Sequence, residues 1–239
     1  MIGNVVTLPH SSQLVIELAD LGKRFGTHWV LAHADLVVRR GEVVALFGGN
    51  GSGKSTLLKL IATLLSPSAG VVRVFGLSTD TARVAIRRRL RFLSHEKQLY
   101  GALTVTEQLR LMATLTGMGA ADGDRAIAAL LERFGLEAVR SLATAALSEG
   151  MQKRVALARL CLGEEPELVL MDEPHPTLDT AGRALLDALI AEWRARGATL
   201  LIASHDHAEV LRHADRVVHV RAGSLHEASV AGARPVEAR

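Results

Sequence analysis

The sequence predicts an α/β fold built on a mostly parallel β-sheet. Short, wholly apolar runs, which are typical of strands buried on both faces, alternate with segments of helical length. The clearest apolar runs are 43–47, 168–171 and 199–203. A glycine-rich loop between the first run and a helical segment adds the strand, loop and helix unit that such sheets contain. With 239 residues, the chain is long enough to bury a core and to carry a subdomain.

The glycine-rich loop matches the pattern G-x-x-x-x-G-K-[ST] and predicts a nucleoside triphosphate site. Glycines let backbone N–H groups turn toward the phosphates, and we expect a Cβ at these positions to clash. The helix that follows points its positive N-terminal end at the same anion. Lys54 is expected to neutralise the β- and γ-phosphate oxygens, and Ser55 to bind Mg²⁺. The nucleotide contacts predicted from this loop are Gly48, Gly49, Asn50, Gly51, Ser52, Gly53, Lys54, Ser55 and Thr56.

Polar side chains follow two of the predicted strands. Asp172 and Glu173 come directly after the run 168–171, and His205 follows the run 199–203. Ligands bind at the carboxyl ends of parallel strands, so these groups should lie beside the phosphate loop. Asp172 is predicted to hold the Mg²⁺ shell, and Glu173 to polarise the attacking water as a general base. His205 is predicted to reach the γ-phosphate and to orient the water or sense hydrolysis.

The N-terminal third predicts an extension followed by short strands. Residues 1–12 lack periodicity and look like a loose extension. Apolar runs at 14–16, 30–31 and 36–38 predict small antiparallel strands that lead into the strand before the phosphate loop. A further strand is predicted at 71–75.

The middle of the chain predicts helices. Thr104 and Glu107 have the spacing of a capping box at a helix start. A second helix is predicted over 124–134, and Ser148 is placed to cap a third. The later elements are a helix over 181–193, a strand over 217–220 and a turn at Gly223.

Composition limits the classes of partner. A net charge of +3 is too small to indicate nucleic-acid binding. No apolar stretch is long enough to span a bilayer, and the N-terminus lacks the basic region of a secretory signal, so we expect a cytoplasmic chain. The single cysteine, Cys161, forms no internal disulfide and is predicted to be a small buried residue on a helix.

Arginines cluster in one short segment. A solvated helix face is the favoured interpretation, and contact with lipid headgroups or a partner is the alternative. The cluster consists of Arg83, Arg87, Arg88, Arg89 and Arg91.

Five motifs in a fixed order carry a family resemblance. Over residues 14–223 the chain resembles ATP-binding-cassette (ABC) ATPases. That resemblance implies a P-loop NTPase fold, with a RecA-like, mostly parallel sheet, a small antiparallel β subdomain and an inserted α-helical subdomain. The Leu-Ser-x-Gly element distinguishes this family from other phosphate-loop proteins. The motifs are the phosphate loop, Leu147–Met151, Asp172-Glu173-Pro174, Leu178-Asp179 and Ser204-His205-Asp206.

The resemblance implies a composite site with ATP and Mg²⁺ as cofactors. Two ATPase subunits, as a homodimer or heterodimer, would enclose two ATPs head to tail. Ser148 and the N–H of Gly150 would reach the γ-phosphate of the ATP held by the opposite subunit, which agrees with anion binding at a helix start. Phe25 resembles the aromatic residue that stacks on adenine, with a core phenylalanine as the alternative. Asp179 resembles part of the loop through which the two sites communicate.

The resemblance also implies a domain organisation. An N-terminal extension (1–13) precedes the ATP-binding domain (14–223), and a C-terminal tail (224–239) follows it. Within the domain, the core and antiparallel subdomain are assigned to about 14–89 and 163–223, and the helical subdomain to about 90–162.

Four residues outside the phosphate loop depart from the family pattern. Glu149 replaces a common glycine and Met151 a glutamine, although Ser148 and Gly150 remain. His175 stands where a small or hydroxyl residue is usual, and the sequence offers no physical reason for it.

His95 is the most informative departure. Glutamine is usual here, where it contacts Mg²⁺ and water and links ATP to a membrane partner. A neutral imidazole can also bind a metal or accept a hydrogen bond, so His95 is predicted as a metal ligand. Gln98 is the alternative, but it would require a three-residue shift of the loop.

The resemblance implies the motor subunit of a transporter, held on the inner face of the membrane by a separate integral permease. His95 resembles the residue in haem exporter ATPases of cytochrome c maturation, and residues 147–154 resemble lipid and multidrug exporters. The alternative is a soluble ABC ATPase without a membrane partner, as in iron–sulfur cluster assembly. DNA-repair types need a long coiled-coil insertion, and Ser148 follows Ser55 by only 93 positions.

Overall fold

The structure is a computed structural model that describes residues 13–96 and 98–228. The extension predicted over 1–12 therefore lies outside the described residues. The strands are β1 (Leu14–Phe25), β2 (His28–Arg39), β3 (Val43–Phe47), β4 (Ala69–Val74), β5 (Leu77–Ser78), β6 (Leu90–Leu93), β7 (Leu168–Asp172), β8 (Thr199–Ser204), β9 (Arg216–Arg221) and β10 (Ser224–Ala228). The α-helices are α1 (Lys54–Ile61), α2 (Arg83–Arg89), α3 (Val105–Leu115), α4 (Ala120–Arg133), α5 (Glu149–Leu160), α6 (Thr180–Ala195) and α7 (His207–Leu211).

A six-stranded sheet with the order β10-β9-β3-β8-β7-β6 forms the centre of the molecule. All neighbouring pairs are parallel except β9 and β10. Every residue of β3 is buried, because Val43, Ala45 and Phe47 join one hydrophobic cluster. Val44 and Leu46 join the other cluster on the opposite face. The α/β prediction from uninterrupted apolar strands is thus confirmed.

A four-stranded antiparallel sheet, in the order β2-β1-β4-β5, packs over one face of the core. The predicted runs 30–31 and 36–38 are both parts of β2, so two long strands replace the three short ones expected. Register shifts interrupt their pairing, and Asp20 and His33 have positive φ angles of 49° and 50° there. These irregularities break the apolar alternation that would have indicated one continuous strand.

The helices between β6 and β7 confirm the predicted caps. Both hydrogen bonds of the Thr104–Glu107 capping box are present at the start of α3. Ser148 caps α5 through its hydroxyl group, as expected. Helix α4 begins at Ala120, four residues before the predicted start, because Gly119 provides no side-chain cap that the sequence pattern could indicate.

Two elements differ from the predicted domain limits. Strand β6 pairs with β7 in the central sheet, so residues 90–93 do not belong to the helical segment to which they were assigned. Strand β10 occupies the beginning of the predicted 224–239 tail and pairs with β9. Both strands are short and carry charged or polar residues, so they lacked the apolar pattern used to recognise strands.

The arginine cluster is partly solvated. Arg83, Arg87 and Arg88 on α2 are exposed, as a solvated helix face predicts, but several of the arginines also make hydrogen bonds within the protein. Arg87 donates to both the hydroxyl and the carbonyl oxygen of Thr63. Arg91 is only 5% exposed and donates to the carbonyl oxygens of Leu162 and Glu164. Arg83 and Arg89 also have intramolecular partners, Ser66 and Glu167.

The predictions about membrane-spanning segments and about Cys161 can be compared with the described residues. None of the helices described is long and apolar enough to cross a membrane. Cys161 is a free, half-buried residue just after α5, and burial raises the pKa of its thiol to about 12. The thiol is therefore protonated at neutral pH and behaves as a small apolar side chain.

Candidate active site

The phosphate loop joins β3 to α1 in the predicted manner. Lys54, the first residue of α1, is 6% exposed, and its ammonium donates to the carbonyl oxygens of Gly48 (2.7 Å) and Gly49 (3.2 Å). The start of α1 has no side-chain cap and no acidic residue in its first turn. Its backbone N–H groups and positive end therefore suit an anion.

Glycine is required in this loop for two different reasons. A Cβ on Gly48 would lie 2.6 Å from the carbonyl oxygen of Val220, and one on Gly53 would lie 2.9 Å from Leu31. A Cβ on Gly49 or Gly51 would meet no protein atom within 4 Å, so contacts within the protein account for glycine at Gly48 and Gly53 but not at these two positions. Gly51 and Gly53 have positive φ angles of 74° and 108°, which disfavour other residues.

A cleft of about 410 Å³ brings together groups that are distant in sequence. His95 and Glu173 face the phosphate loop across it, whereas Gln98 lines a separate groove. The structure thus places His95, rather than the alternative Gln98, at the nucleotide cleft. Its lining residues are Val30, Asn50, Gly51, Ser52, Gly53, Lys54, Ser55, Thr56, His95 and Glu173. Val30 was missed because its only signal in the sequence was that of a strand residue.

Asp172 ends β7 with a buried carboxylate that is 1% exposed. Neither of its oxygens has a hydrogen-bond partner within the described residues. An unpaired buried charge is costly, so this arrangement fits a cation ligand. The described residues contain no group of three His, Cys, Asp or Glu side chains that could hold a metal by themselves. A Mg²⁺ ion here would therefore also use oxygens such as the Ser55 hydroxyl and phosphates.

Glu173 lies next to Asp172 in a constrained conformation. Its φ angle is 49°, in the left-handed region that non-glycine residues seldom adopt, and it is 8% exposed. Its Oε2 atom lies 2.9 Å from Nδ1 of His205 and 3.4 Å from Oγ of Ser204. The sequence predicted the acid and the histidine, but the contact of Ser204 with the acid was missed.

Ser148 and Gly150 lie at the start of α5 and are not among the residues that line this cleft. Ser148 is exposed, and its Oγ accepts a hydrogen bond from the N–H of Met151 at 3.3 Å. A Cβ on Gly150 would approach the carbonyl oxygen of Thr177 to 2.9 Å, so glycine allows α5 to pack closely against that segment. These two predicted nucleotide contacts are thus separated from the phosphate loop of their own chain.

Asp179 also lies outside the cleft. Its carboxylate caps α6 and accepts two hydrogen bonds from one nitrogen of Arg154, at 2.6 and 2.7 Å. The hydrogen bonds from Arg154 lower the pKa of Asp179 below its usual range. Arg154 lies on α5, one turn beyond Gly150, so the start of α5 and the loop before α6 are joined.

Phe25 lies at the end of β1 and is 50% exposed, so the alternative of a core phenylalanine is wrong. The Lys23 ammonium lies 5.2 Å from the centre of its ring. Phe25 does not line the phosphate cleft, although Val30 on the adjoining strand does. The exposed ring is compatible with stacking on a base, which stays a prediction.

His175 lies two residues after Glu173 and is 3% exposed. Neither ring nitrogen has a hydrogen-bond partner in the part of the chain that the structure describes. Burial lowers the pKa of His175, which keeps its imidazole neutral at physiological pH. The neutral ring therefore packs in the interior like an apolar side chain, although nothing in the structure explains why this residue is a histidine.

A phosphate loop at the end of a parallel strand, with a buried Asp-Glu pair at the end of the next strand but one in the same sheet, defines a P-loop ATPase. The family model described as "ABC transporter" matches residues 31–176. The chain therefore belongs to the ABC transporter family and is an ATP-hydrolysing, ATP-binding subunit of that family.

Two similar proteins in this family are named for the transport of different substrates. The chain is 34% identical over 215 residues to the probable multidrug ABC transporter ATP-binding protein YbhF of Escherichia coli K12, covering 89% of this chain and 36% of YbhF. It is 36% identical over 211 residues to the aliphatic sulfonates import protein SsuB of Burkholderia ambifaria, covering 88% and 62% of the two chains. The chain thus spans about a third of the length of YbhF and just under two thirds of that of SsuB.

A solved structure with a similar fold is a dimer. The ATP-binding cassette MJ0796, in a post-hydrolysis state with ADP and Pi, superposes with a TM-score of 0.82 and 27% sequence identity. The match covers 91% of this chain and 99% of the MJ0796 chain.

Proposed function

We propose that this chain is the motor subunit of a transporter and that two ATPase subunits enclose two ATPs head to tail. The observation that carries the proposal is the division of the predicted contacts into two separate sets. The phosphate loop and Glu173 share one cleft, whereas Ser148 and Gly150 lie outside it at an uncovered helix start. A second subunit in antiparallel arrangement would bring the two sets together, and MJ0796 forms a dimer.

Within each composite site, the residues have separate tasks. Lys54 and the N–H groups at the start of α1 bind the phosphates, and Phe25 stacks on the adenine. Ser55, Asp172 and His95 would hold Mg²⁺, which would supply positive charge to stabilise the negative charge of the reacting phosphates. Glu173 accepts a proton from the attacking water, and His205 orients that carboxylate. Asp179 communicates between the sites through its contact with Arg154.

Mixing two inactive variants tests the head-to-tail arrangement. Lys54→Ala removes the phosphate contact, and Ser148→Arg blocks the helix start, so each variant alone should hydrolyse little ATP. In a mixed dimer, one site keeps both an intact Lys54 and an intact Ser148. An equimolar mixture should recover up to about a quarter of the wild-type rate, because about half of the dimers are mixed and each has one intact site. No recovery, despite mixed dimers on native mass spectrometry, would refute the composite site.

We further propose that a groove beside the cleft receives a segment of the membrane permease. The groove has a volume of about 410 Å³ and is lined by Gln98, Leu99, Tyr100, Gln108, Leu111, Met112, Leu115 and Arg159. Tyr100 is 64% exposed and Leu115 is 73% exposed, which gives the groove an apolar rim. The groove begins three residues after His95 of the cleft, so a segment bound there would lie close to the nucleotide.

Substitution of the rim tests this surface. Tyr100→Ala combined with Leu115→Gln should keep basal ATP hydrolysis but reduce the fraction that sediments with membranes from cells of the native organism. Val84→Gln is the matched control, because Val84 is 68% exposed on α2 and remote from the groove in sequence. Unchanged sedimentation of the double variant would exclude the groove as the docking site.

Export is the direction that we propose, with haem export for cytochrome c maturation as one candidate. The support is the resemblance of residues 147–154 to exporter subunits, because YbhF is named as a multidrug transporter without a direction. SsuB is named for import, so direction needs its own test. Transport measured in inverted vesicles with the permease encoded beside this gene distinguishes the two. A wild-type protein that remains unattached to membranes in its own cells would favour the iron–sulfur assembly alternative.

A further inference from the structure

Lys153 makes a buried contact with the backbone of Glu173. The residue is 4% exposed, and its Nζ donates to the Glu173 carbonyl oxygen at 2.8 Å. A lysine is seldom so deeply buried unless its ammonium has well-placed acceptors, because loss of water disfavours the charge. The surroundings of the Lys153 ammonium therefore hold it in one position.

The contact holds a peptide unit whose conformation is unfavourable. Glu173 has a φ angle of 49°, and such left-handed residues persist only when the surroundings determine them. The N–H of Glu173 donates to the carbonyl oxygen of Ala203 at 2.9 Å, and its own carbonyl accepts from Lys153. The backbone of the acid is thus tied to β8 on one side and to α5 on the other.

The same face of α5 contacts the segment after β7 at three points. Gly150 approaches Thr177, Lys153 binds Glu173, and Arg154 binds Asp179 in the way described above. Positions 150, 153 and 154 have the i, i+3 and i+4 spacing of one helix face. A displacement of the start of α5 would therefore move the acid of the same subunit.

We propose that Lys153 is a positioning residue that couples the start of α5 to the orientation of Glu173. The inference rests on the proposed function, in which Ser148 binds the ATP of the opposite subunit. Engagement of that ATP would fix α5, and Lys153 would then fix the Glu173 backbone so that its carboxylate meets the water in its own cleft. One site would thereby report its occupancy to the other.

The experiment compares Lys153→Met and Lys153→Arg with wild type. Methionine keeps a side chain of similar length but removes the hydrogen-bond donor, whereas arginine retains a cation that can donate a hydrogen bond. We expect Lys153→Met to lower kcat by about ten- to 100-fold while KM and the Kd for ATP change less than about twofold, since misplacement of a reacting group affects turnover rather than binding. Lys153→Arg should recover part of kcat.

Arg91→Met provides the matched control. Arg91 is another buried cation that donates to backbone carbonyls, but its acceptors Leu162 and Glu164 are not among the residues that line the cleft. It should lose thermal stability as Lys153→Met does and yet keep its kcat. Equal losses of kcat in the two variants, or a parallel loss of ATP affinity in Lys153→Met, would overturn the proposal in favour of a purely structural lysine.

A double substitution separates this inference from the proposed function. If Lys153 acts through Glu173, Lys153→Met should cause no further loss of the residual kcat in a Glu173→Gln background. A further loss of tenfold would show that it acts elsewhere. If Glu173→Gln alone retains full turnover, the assignment of the acid fails, whatever the result for Lys153.

Discussion

The Nδ1 atom of His205 lies 2.9 Å from Oε2 of Glu173. The Ser204 hydroxyl and the His205 backbone N–H, both at 3.4 Å, approach the same oxygen. The other carboxylate oxygen, Oε1, accepts no hydrogen bond from the described residues. Oε2 therefore holds the Glu173 carboxylate in its orientation, and Oε1 is available to a water molecule in the cleft.

Glu173→Gln should abolish turnover without loss of ATP binding. The amide cannot accept a proton from water, so we expect kcat to fall by about 10²- to 10⁴-fold while the Kd for ATP stays within about threefold. Because hydrolysis no longer opens the dimer, size-exclusion chromatography with ATP and Mg²⁺ should show a dimer that the wild type does not accumulate. A monomer with full activity would show that the acid has been assigned wrongly.

His95→Gln should change the metal preference more than the basal rate. Ser55 and Asp172 remain, so basal hydrolysis with Mg²⁺ should stay within about threefold of wild type. Imidazole nitrogen suits Mn²⁺ better than Mg²⁺, so the ratio of Mn²⁺- to Mg²⁺-supported rates should fall in the variant.

Pulsed electron paramagnetic resonance tests the ligand directly. Mn²⁺ bound with a non-hydrolysable ATP analogue should show a histidine ¹⁴N coupling in wild type that His95→Gln removes. If wild type lacks this coupling, His95 lines the cleft without contacting the metal.

Asp172→Asn should stabilise the nucleotide-free protein. It removes a buried charge that has no partner among the described residues, so we expect a gain of about 1–3 kcal/mol and a higher melting temperature. The same variant should lose the Mg²⁺-dependent part of the stabilisation by ATP. The exposed Asp80→Asn serves as a control, and differential scanning calorimetry with and without Mg²⁺ and ATP measures both effects. Lower stability in the nucleotide-free state would indicate that Asp172 has a structural partner.

Glu167 should make stability depend on acidic pH. Hydrogen bonds from Arg89 and Arg40 lower the pKa of Glu167 to about 2. A carboxylate with a lowered folded-state pKa stabilises the fold above its unfolded pKa, and this contribution disappears as pH falls from about 4.5 to 2. Because Glu167 is one-third exposed, we expect Glu167→Gln to cost only about 1 kcal/mol at pH 7.

Urea unfolding at several pH values measures this contribution. The difference in unfolding free energy between wild type and Glu167→Gln should decrease below pH 4.5 and vanish near pH 2. Glu132→Gln, at an exposed position on α4, should show no such trend. A difference that stays constant over this range would rule out the ion pairs as its source.

The central site could be predicted from short motifs, because the chemistry of each motif depends on residues that are close together in the sequence. The phosphate loop, Asp172 and the Thr104 cap all combine specific residue types with a fixed spacing, which a sequence displays directly. Lys153 and Arg154 were missed because their partners lie 20 and 25 positions away, and only packing of α5 against the next segment brings them together. Strand β10 was missed because pairing with β9, rather than its own apolar pattern, stabilises it.

Strand β10 also covers a sheet edge of the kind that favours self-association when it is open. It covers the edge of β9, whose Val217, Val218 and Val220 are buried, and it connects to β2 through the bond from Ser224 to Ala32. A chain ending at Gly223 would expose the backbone of an apolar strand to other molecules. With β10 in place, the edge of this sheet in the described residues is formed by a strand that carries Ser224, His226 and Glu227 rather than by the apolar β9.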